Sequence, residues 1–129
     1  MVLLDTHTLL WALGSPENLS DNAMAALDAD DRCVSIASLW EIAIKSSLAD
    51  PKRRLVLETS VLDISEECER QGIELLPITP EDCAKVATLP HHHGDPFDRL
   101  IIAQALTRGL SIVTRDGNIG KYEGVTAIW

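Results

Sequence analysis

One segment, residues 92–105, constrains the fold of this chain most, because it places acidic residues at the start of a strongly apolar helix. It reads His-His-Gly-Asp-Pro-Phe-Asp-Arg-Leu-Ile-Ile-Ala-Gln-Ala. Asp95 suits the N-cap and Pro96 the first helical position, where a missing N–H costs nothing. Asp98 then falls in the first turn, beside the positive end of the helix dipole. The remainder is too apolar for a surface helix, so Asp98 can face a cleft.

This placement does not by itself indicate chemistry. Acidic residues are common in first helical turns because they cap the helix and complement its dipole, and Asp95 and Asp98 could do only that. A functional role for Asp98 therefore depends on whether carboxylates from other parts of the chain come to the same place.

Length and composition indicate one soluble, globular domain over residues 1–129. Hydrophobic residues make up 46% of the chain and charged residues 24%, so a core can form without disulfides. No apolar run is long enough to cross a membrane, and the N-terminus lacks the basic and apolar regions of a signal peptide. We therefore expect a cytoplasmic protein with no membrane partner, in which Cys33, Cys68 and Cys83 stay reduced.

The net charge of −9 argues against binding nucleic acid through a broad basic face, because phosphate contacts need Lys and Arg. An excess of carboxylates is instead compatible with a site for divalent cations. It also suits a basic protein partner. Composition alone does not choose between these two possibilities.

Short apolar runs alternate with segments of helical periodicity along the whole chain. The predicted strands are 2–4, 33–36, 73–78, 111–114 and 125–129. The predicted helices are 9–13, a second that follows Ser20, 38–49, 60–71, 84–89 and 96–108, and the start of the fifth is Thr79-Pro80-Glu81-Asp82. Ser38 and Glu41 have capping-box spacing, so we expect Ser38 to cap the third helix. The alternation predicts a three-layer α/β/α, Rossmann-like fold with a mostly parallel central sheet.

Four acidic residues are expected at one edge of this sheet. Open parallel sheets bind ligands beyond the carboxyl ends of their strands. Asp5 ends the first strand, and Asp116 lies just beyond the fourth. Glu41 and Asp98 fall in the first turns of predicted helices, Glu41 in the one that follows the second strand. All four therefore belong to the same edge.

Each acid also has a structural explanation. Asp5 could cap the helix that follows it, Glu41 could complete the capping box, and Asp116 before Gly117 could form an Asx turn. A shared site explains all four together, whereas the structural explanations require four independent coincidences at one edge.

Like charges gathered in one place repel, so this cluster would be unstable unless cations neutralised it. Arg99 and Arg115 are the basic residues adjacent to it in sequence, and we expect both side chains to point elsewhere. The simplest cation that would neutralise the cluster is Mg²⁺ or Mn²⁺, held by one or two carboxylates and otherwise by water and phosphate oxygens. Metal ions about 4 Å apart or less lower the pKa of a water and stabilise a leaving oxygen. The pattern therefore predicts a centre that cleaves phosphodiesters.

These residues resemble the successive motifs of PIN-domain nucleases and, more narrowly, of the VapC-type toxins of type II bacterial toxin–antitoxin systems. The resemblance is carried by Leu3-Leu4-Asp5-Thr6-His7, Ser38-Leu39-Trp40-Glu41-Ile42, residues 95–105 and Val113-Thr114-Arg115-Asp116. It covers nearly the whole chain in order. Its most specific part is Asp-Pro-Phe-Asp-Arg at 95–99.

The resemblance implies an α/β/α domain with Mg²⁺- or Mn²⁺-dependent endoribonuclease activity on RNA. It also implies a homodimer and inhibition by a small cognate antitoxin whose tail covers the cleft. On the matching positions, the catalytic and metal-binding acids would be Asp5, Glu41, Asp98 and Asp116. Asp5 and Asp98 would be the principal ligands, and Thr6 and Thr114 would supply supporting hydroxyls. Asp95 is interpreted as the helix cap.

The histidines have simpler interpretations than metal binding. His91, His92 and His93 are consecutive in a loop and lack the helical spacing of metal ligands, so a solvated loop beside the cleft is the expectation. His7 could hydrogen-bond a phosphate or merely cap the sheet edge.

Basic and aromatic residues give weaker signals. The basic residues that could steer RNA are Lys45, Lys52, Arg53, Arg54, Arg99, Arg115 and Lys121. The cluster at 52–54 is more typical of a solvated loop than of a binding site. The apolar neighbours of Trp11, Trp40 and Trp129 favour core or interface positions over base stacking.

Two other functions stay open at the level of sequence. Phosphoryl transfer through an aspartyl phosphate would also put an aspartate at a strand end, but it expects another acid two residues after Asp5, where His7 stands. A catalytically silent PIN-like module that only binds a protein partner would keep the acid cluster as an interaction surface. Saturable Mn²⁺ binding separates the silent module from the nuclease.

Overall fold

Five parallel strands form the central sheet of the computed structural model, which describes residues 1–52 and 59–129. The strands are β1 (Val2–Leu4), β2 (Arg32–Ser35), β3 (Ile73–Leu76), β4 (Ser111–Val113) and β5 (Ala127–Ile128). Their order is β3-β2-β1-β4-β5, and each neighbouring pair is parallel. The predicted parallel sheet is confirmed, and the chain changes direction across the sheet at β1, where a ligand-binding crevice is expected.

Helices cover both faces of the sheet. In the described residues they are α1 (Thr6–Gly14), α2 (Asp21–Ala29), α3 (Ile36–Ser46), α4 (Val61–Arg70), α5 (Pro80–Thr88) and α6 (Pro96–Arg108). The first four contribute to the core on one face, and α5 and α6 contribute to the core on the other. The predicted three-layer α/β/α fold is therefore confirmed. Among residues 1–52 and 59–129, no helix combines the length and apolarity needed to cross a bilayer.

The alternation of side chains along β1 explains the two cores. Leu3 packs with Ile101 and Ile112 on the side of α5 and α6. Leu4 packs with Leu9 and Ile42 on the opposite side. Successive side chains of a strand point to opposite faces, and a parallel sheet covered on both faces buries both sets.

The helix α6 is buried along most of its length, as its composition predicts. Residues 101–105 are all buried. The side chain of Asp95 accepts hydrogen bonds from the N–H groups of Phe97 and Asp98, which confirms Asp95 as the cap. Gly109 ends the helix at φ 64°, a left-handed conformation that favours glycine. These two ends fix where Asp98 lies.

The start of α3 differs from the prediction. The cap is Ser35, whose hydroxyl accepts a hydrogen bond from the N–H of Ala37, and the helix begins at Ile36. Ser38 is buried within the first turn, so the expected capping box with Glu41 is wrong. The reason is that Ser35 ends β2 and β2 runs directly into the helix, so the earlier serine takes the cap position. Glu41 consequently lies in the second turn.

Smaller boundary errors have local causes. The helix α1 begins at Thr6, earlier than predicted, because Asp5 itself provides the cap. The strand β3 ends before Pro77, which lacks the N–H that a sheet ladder needs. The strand β5 is limited to Ala127 and Ile128, which pair with β4. Of the predicted basic loop 52–54, Arg53 and Arg54 lie outside the described residues.

Asp82 joins α5 to α6 through a fully buried carboxylate. Arg108 binds both of its oxygens, at 2.6 Å and 3.0 Å. The N–H of Thr79 and the hydroxyl of Thr107 donate to the same carboxylate. Burial would raise the pKa of Asp82, but the hydrogen bonds from Arg108 and Thr79 together hold it well below its usual range. This ion pair fixes the helix pair that carries Asp98.

We expect Asp82→Asn to lower the free energy of unfolding by about 2–3 kcal/mol, because it removes charge-assisted hydrogen bonds. The folded-state pKa is depressed, so this stabilisation is complete above the unfolded value of about 4 and is lost as the pH falls through the folded value. Urea unfolding of both proteins across the acid range checks this, and the difference between them should shrink as the pH falls.

Asp63→Asn is the matched control, because Asp63 occupies the same capping-box position in α4 but is exposed. Asp63→Asn should lower the free energy of unfolding by less than Asp82→Asn does. Equal losses would show that capping alone, rather than the pair with Arg108, accounts for the effect.

Candidate active site

The structure brings the four predicted acids into one pocket at the carboxyl edge of the sheet. The pocket has a volume of about 160 Å³. Its lining residues are Asp5, Thr6, His7, Glu41, Lys45, His93, Asp95, Asp98 and Asp116. Acids far apart in sequence therefore meet where β1 and β4 end side by side.

Asp5 joins the end of β1 to the start of α1 and is buried. Its Oδ1 accepts a hydrogen bond from the N–H of Thr8 at 2.8 Å, and its Oδ2 accepts one from the hydroxyl of Thr114. Asp5 is thus both a helix cap and a member of the pocket. Its two roles are compatible, because each carboxylate oxygen has a second lone pair.

Glu41 is a buried carboxylate with a donor on each oxygen. The hydroxyl of Thr6 donates to its Oε1, and the ammonium of Lys45 contacts its Oε2 at 2.6 Å. Ser38 lies 3.0 Å from the Thr6 hydroxyl and so extends this network. The sequence presented Lys45 only as one of several basic residues that could steer RNA, and the structure places it in the acid pocket. Its position four residues after Glu41 on one helix was the available signal.

Asp98 is the least stabilised of the acids. No backbone N–H or hydroxyl of the described residues donates to its carboxylate, and its close polar contact is with His93 Nε2 at 3.2 Å. Burial and the neighbouring charge of Asp95 raise the pKa of Asp98 to about 7, with further contributions from Glu41 and Asp5 that His93 partly opposes.

Asp116 follows β4 in a polar turn. Its Oδ1 accepts a hydrogen bond from the N–H of Asn118, so the predicted Asx turn is present, and its Oδ2 contacts His93 Nε2 at 2.6 Å. Burial would raise the pKa of Asp116, but the hydrogen bonds from Asn118 and His93 lower it below its usual range. As with Asp5, the local structural role and the place in the pocket coexist.

His93 is the residue that sequence reasoning missed. It was expected in a solvated loop, but its side chain is only 14% exposed and lies between Asp98 and Asp116. The N–H of Asp95 donates to its Nδ1 at 3.0 Å, so the proton of the neutral ring is on Nε2, facing the two acids. His93 is therefore a hydrogen-bond donor here. The two histidines that precede it, His91 and His92, are exposed.

Of the two arginines adjacent to the acids in sequence, Arg99 points away from them, as expected. Arg99 is buried and donates to the carbonyls of Pro90 and Leu89. Arg115 is exposed and lies outside the acid pocket. Lys45 is therefore the one fixed positive charge that lines the pocket among the described residues.

The donor set of this pocket fits a divalent cation. Its carboxylates outnumber its single lysine, and burial together with the neighbouring charge of Asp95 raises the pKa of Asp98. The ligand atoms that Asp98 and Asp116 offer lie within 4.8 Å of each other. Carboxylate oxygens are hard ligands of the kind that Mg²⁺ and Mn²⁺ prefer.

A larger cavity, of about 490 Å³, lies between α1 and α4. Its walls are mainly apolar, with Leu10, Leu13 and Ile64 among them. Size does not identify the chemical site in this protein, because the acids, the raised pKa and the buried hydrogen-bond network all belong to the smaller pocket.

Comparison with known proteins gives a consistent result. The family model of the PIN domain matches residues 2–125. Ribonuclease VapC22 from Mycobacterium tuberculosis is 36% identical over 123 residues, which covers 94% of this chain and 91% of that protein.

Two solved structures share the fold. One is VapBC2 from Rickettsia felis bound to a promoter DNA fragment, with a TM-score of 0.67, 13% identity and coverage of 98% of this chain and 97% of that chain. The other is a toxin–antitoxin complex from Klebsiella pneumoniae, with a TM-score of 0.60, 16% identity and coverage of 98% and 96%. The chain therefore belongs to the PIN-domain family and, within it, groups with the VapC proteins.

Proposed function

We propose that this protein is a metal-dependent endoribonuclease that cleaves RNA phosphodiester bonds as the toxin of a toxin–antitoxin pair. The observation that carries the proposal is the convergence of Asp5, Glu41, Asp98 and Asp116 in a pocket whose negative charge the chain leaves unbalanced. The similarity to a VapC ribonuclease over most of the chain supports the reaction. We also propose that residues 1–129 form a single PIN-like domain.

The proposed cofactor is Mg²⁺ or Mn²⁺, with Asp5 and Asp98 as principal ligands and Glu41 and Asp116 in support. When bound, the ion would lower the pKa of a water and stabilise negative charge on the phosphate and the leaving oxygen. The net reaction adds one water across a P–O ester bond and leaves a phosphate on one fragment and a hydroxyl on the other.

The chain's own residues hold the site in place before RNA binds. Thr114 fixes Asp5, and Thr6 fixes Glu41, through their buried hydroxyls. His93 donates toward Asp98 and Asp116 and keeps their carboxylates at a set separation. Preorganised groups of this kind avoid reorganisation during the reaction.

Lys45 has a second role in this proposal. An ammonium has three N–H donors, and Glu41 takes one of them, so two remain for phosphate oxygens in the pocket. Its positive charge is retained, because hydrogen bonding and charge attraction from Glu41 outweigh burial and raise the pKa of Lys45 above its usual value. Lys45 would therefore bind the phosphate while neutralising Glu41.

The proposed partners are RNA, a small cognate antitoxin and a second copy of this chain, all in the cytoplasm. The fold shared with a toxin–antitoxin complex supports the antitoxin. A basic segment of such a protein would complement the acidic pocket, consistent with the chain's net charge of −9.

Asp98→Asn should lower ribonuclease activity at least about 100-fold, because an amide carries no charge for the cation, and 100-fold corresponds to about 2.7 kcal/mol of the barrier. The measurement is cleavage of a labelled RNA in Mg²⁺ and in Mn²⁺. Asp21→Asn is the matched control, since Asp21 is an exposed acid in the first turn of α2. Wild-type rates for Asp98→Asn would contradict the assignment.

Without metal, the same substitution should stabilise the fold. Asp98 is partly buried beside like charges, so its removal relieves repulsion with Asp95, Glu41 and Asp5. In EDTA above neutral pH, the melting temperature of Asp98→Asn should exceed that of wild type by about 2–6 °C. A lower melting temperature would indicate that the carboxylate has a structural role instead.

Mn²⁺ should stabilise the wild-type protein and raise its melting temperature, with a gain of about 2.7 kcal/mol at a concentration 100 times its Kd that grows with the logarithm of concentration. Asp98→Asn should lose most of this stabilisation. The absence of stabilisation by Mn²⁺ in the wild type would favour the catalytically silent module.

Lys45→Met should reduce both stability and activity. It leaves the buried charge of Glu41 unpaired, at a cost of about 1–3 kcal/mol. Adding Glu41→Gln should restore stability, because no charge is then buried alone, but should not restore RNA cleavage. Lys85→Met, at a lysine of α5 that makes no ion pair with residues 1–52 or 59–129, is the control. Restored cleavage in the double variant would contradict the proposed roles of both Lys45 and Glu41 in the reaction.

A further inference from the structure

A third cavity, of about 450 Å³, opens beside the acid pocket. The two share Asp5, His7 and Asp116, so a molecule that fills the cavity reaches the acids directly. The other lining residues are Trp11 and Arg115. Cavities that hold small ligands measure about 300–1,000 Å³, so there is room for a single nucleotide.

Aromatic rings form one wall of this cavity. His7 and Trp11 are four residues apart on α1 and lie on one face of the helix, with ring centroids 5.8 Å apart. Trp129 contacts Trp11 at 5.5 Å and braces it. His7 is exposed and Trp11 half-buried, so ring surface is available to a ligand. Sequence reasoning assigned Trp11 to the core, and it does pack against the core, but it also lines the cavity.

Arg115 places a positive charge at the same cavity. Arg32, Arg70, Arg99 and Arg108 each make a hydrogen bond or an ion pair within the chain. Across residues 1–52 and 59–129, Arg115 makes neither, and its guanidinium is exposed. The net charge of the chain is −9, so few positive charges are present to bind a phosphate. An arginine that lies beside the acids and makes no bond within the described residues is suited to this role.

We propose that this cavity is a nucleotide subsite that binds one unpaired base of single-stranded RNA beside the phosphate that is cleaved. The base stacks on Trp11 and packs against His7, whose ring is tilted by 43° from that of Trp11, and Arg115 binds a neighbouring backbone phosphate. This inference rests on the proposed function and deepens it. The subsite selects unpaired nucleotides because the faces of a base within a duplex are already stacked, whereas every unpaired base has an open face.

The test uses a short labelled RNA whose cleaved bond has been mapped with the wild-type protein and Mn²⁺. Two further RNAs each carry one abasic nucleotide: in the first it precedes that bond, and in the second it follows the bond. Binding to wild type, Trp11→Leu, Trp11→Phe and Arg115→Gln is measured by fluorescence anisotropy in EDTA, where metal-dependent cleavage is suppressed. Trp40→Leu is the matched control, because Trp40 is an exposed tryptophan that does not line the cavity.

One abasic RNA should bind wild type and Trp40→Leu about 5- to 100-fold more weakly than the intact RNA. Trp11→Leu should lose this discrimination, and Trp11→Phe, which keeps an aromatic face and the core contact, should retain most of it. Arg115→Gln should weaken intact and abasic RNA equally and reduce the salt dependence by about one phosphate contact.

Discrimination that persists in Trp11→Leu, or disappears in Trp40→Leu, would overturn the subsite. If Trp11→Leu does not fold, His7→Ala, at an exposed position in the same cavity, serves as the second variant and should reduce the discrimination. Wild-type protein that cleaves RNA without any abasic effect refutes the subsite alone. Wild-type protein that cleaves no RNA refutes the proposed function.

Discussion

Crowding of like charge at the carboxyl edge of the sheet is the constraint on which the rest of this structure depends. The adjacent strands β1 and β4 lead into Asp5 and Asp116, the second turn of α3 carries Glu41, and the first turn of α6 carries Asp98. Burial strengthens the repulsion because it removes the screening of water. Desolvation by burial, together with the charges of Asp95, Glu41 and Asp5, raises the pKa of Asp98. Perturbed pKa values of this kind are concentrated at functional sites.

The fold tolerates this crowding because hydrogen-bond donors from the chain contact three of the acids. Thr114 donates to Asp5, Lys45 to Glu41 and His93 to Asp116. Each donor comes from a rigid element or from a loop tied down by further hydrogen bonds. The result is a pocket that keeps its shape while its charge remains unbalanced, which is the state that a cation-binding site requires before the cation arrives.

Prediction from sequence succeeded where a local rule was sufficient. Asp95, Pro96 and Gly109 marked the ends of α6, because capping depends only on adjacent backbone. Prediction failed at α3, where two serines satisfied the capping rule and only the end of β2 decided between them. His93 was missed because its contact with Asp116 joins residues far apart in sequence, and no spacing rule describes such a contact.

Asp82 and Asp98 show where prediction from sequence reaches its limit. Each follows a cap residue and a proline at the start of a helix, so their local sequences are nearly the same. By itself, the sequence determined that both lie in first helical turns and that both helices lie in an α/β/α fold. Only the tertiary structure decided that Asp82 meets Arg108 and becomes a structural ion pair, whereas Asp98 meets other acids. The physical reason is that a carboxylate's pKa depends on the charges and solvent within a few ångströms, and packing of distant segments sets those neighbours.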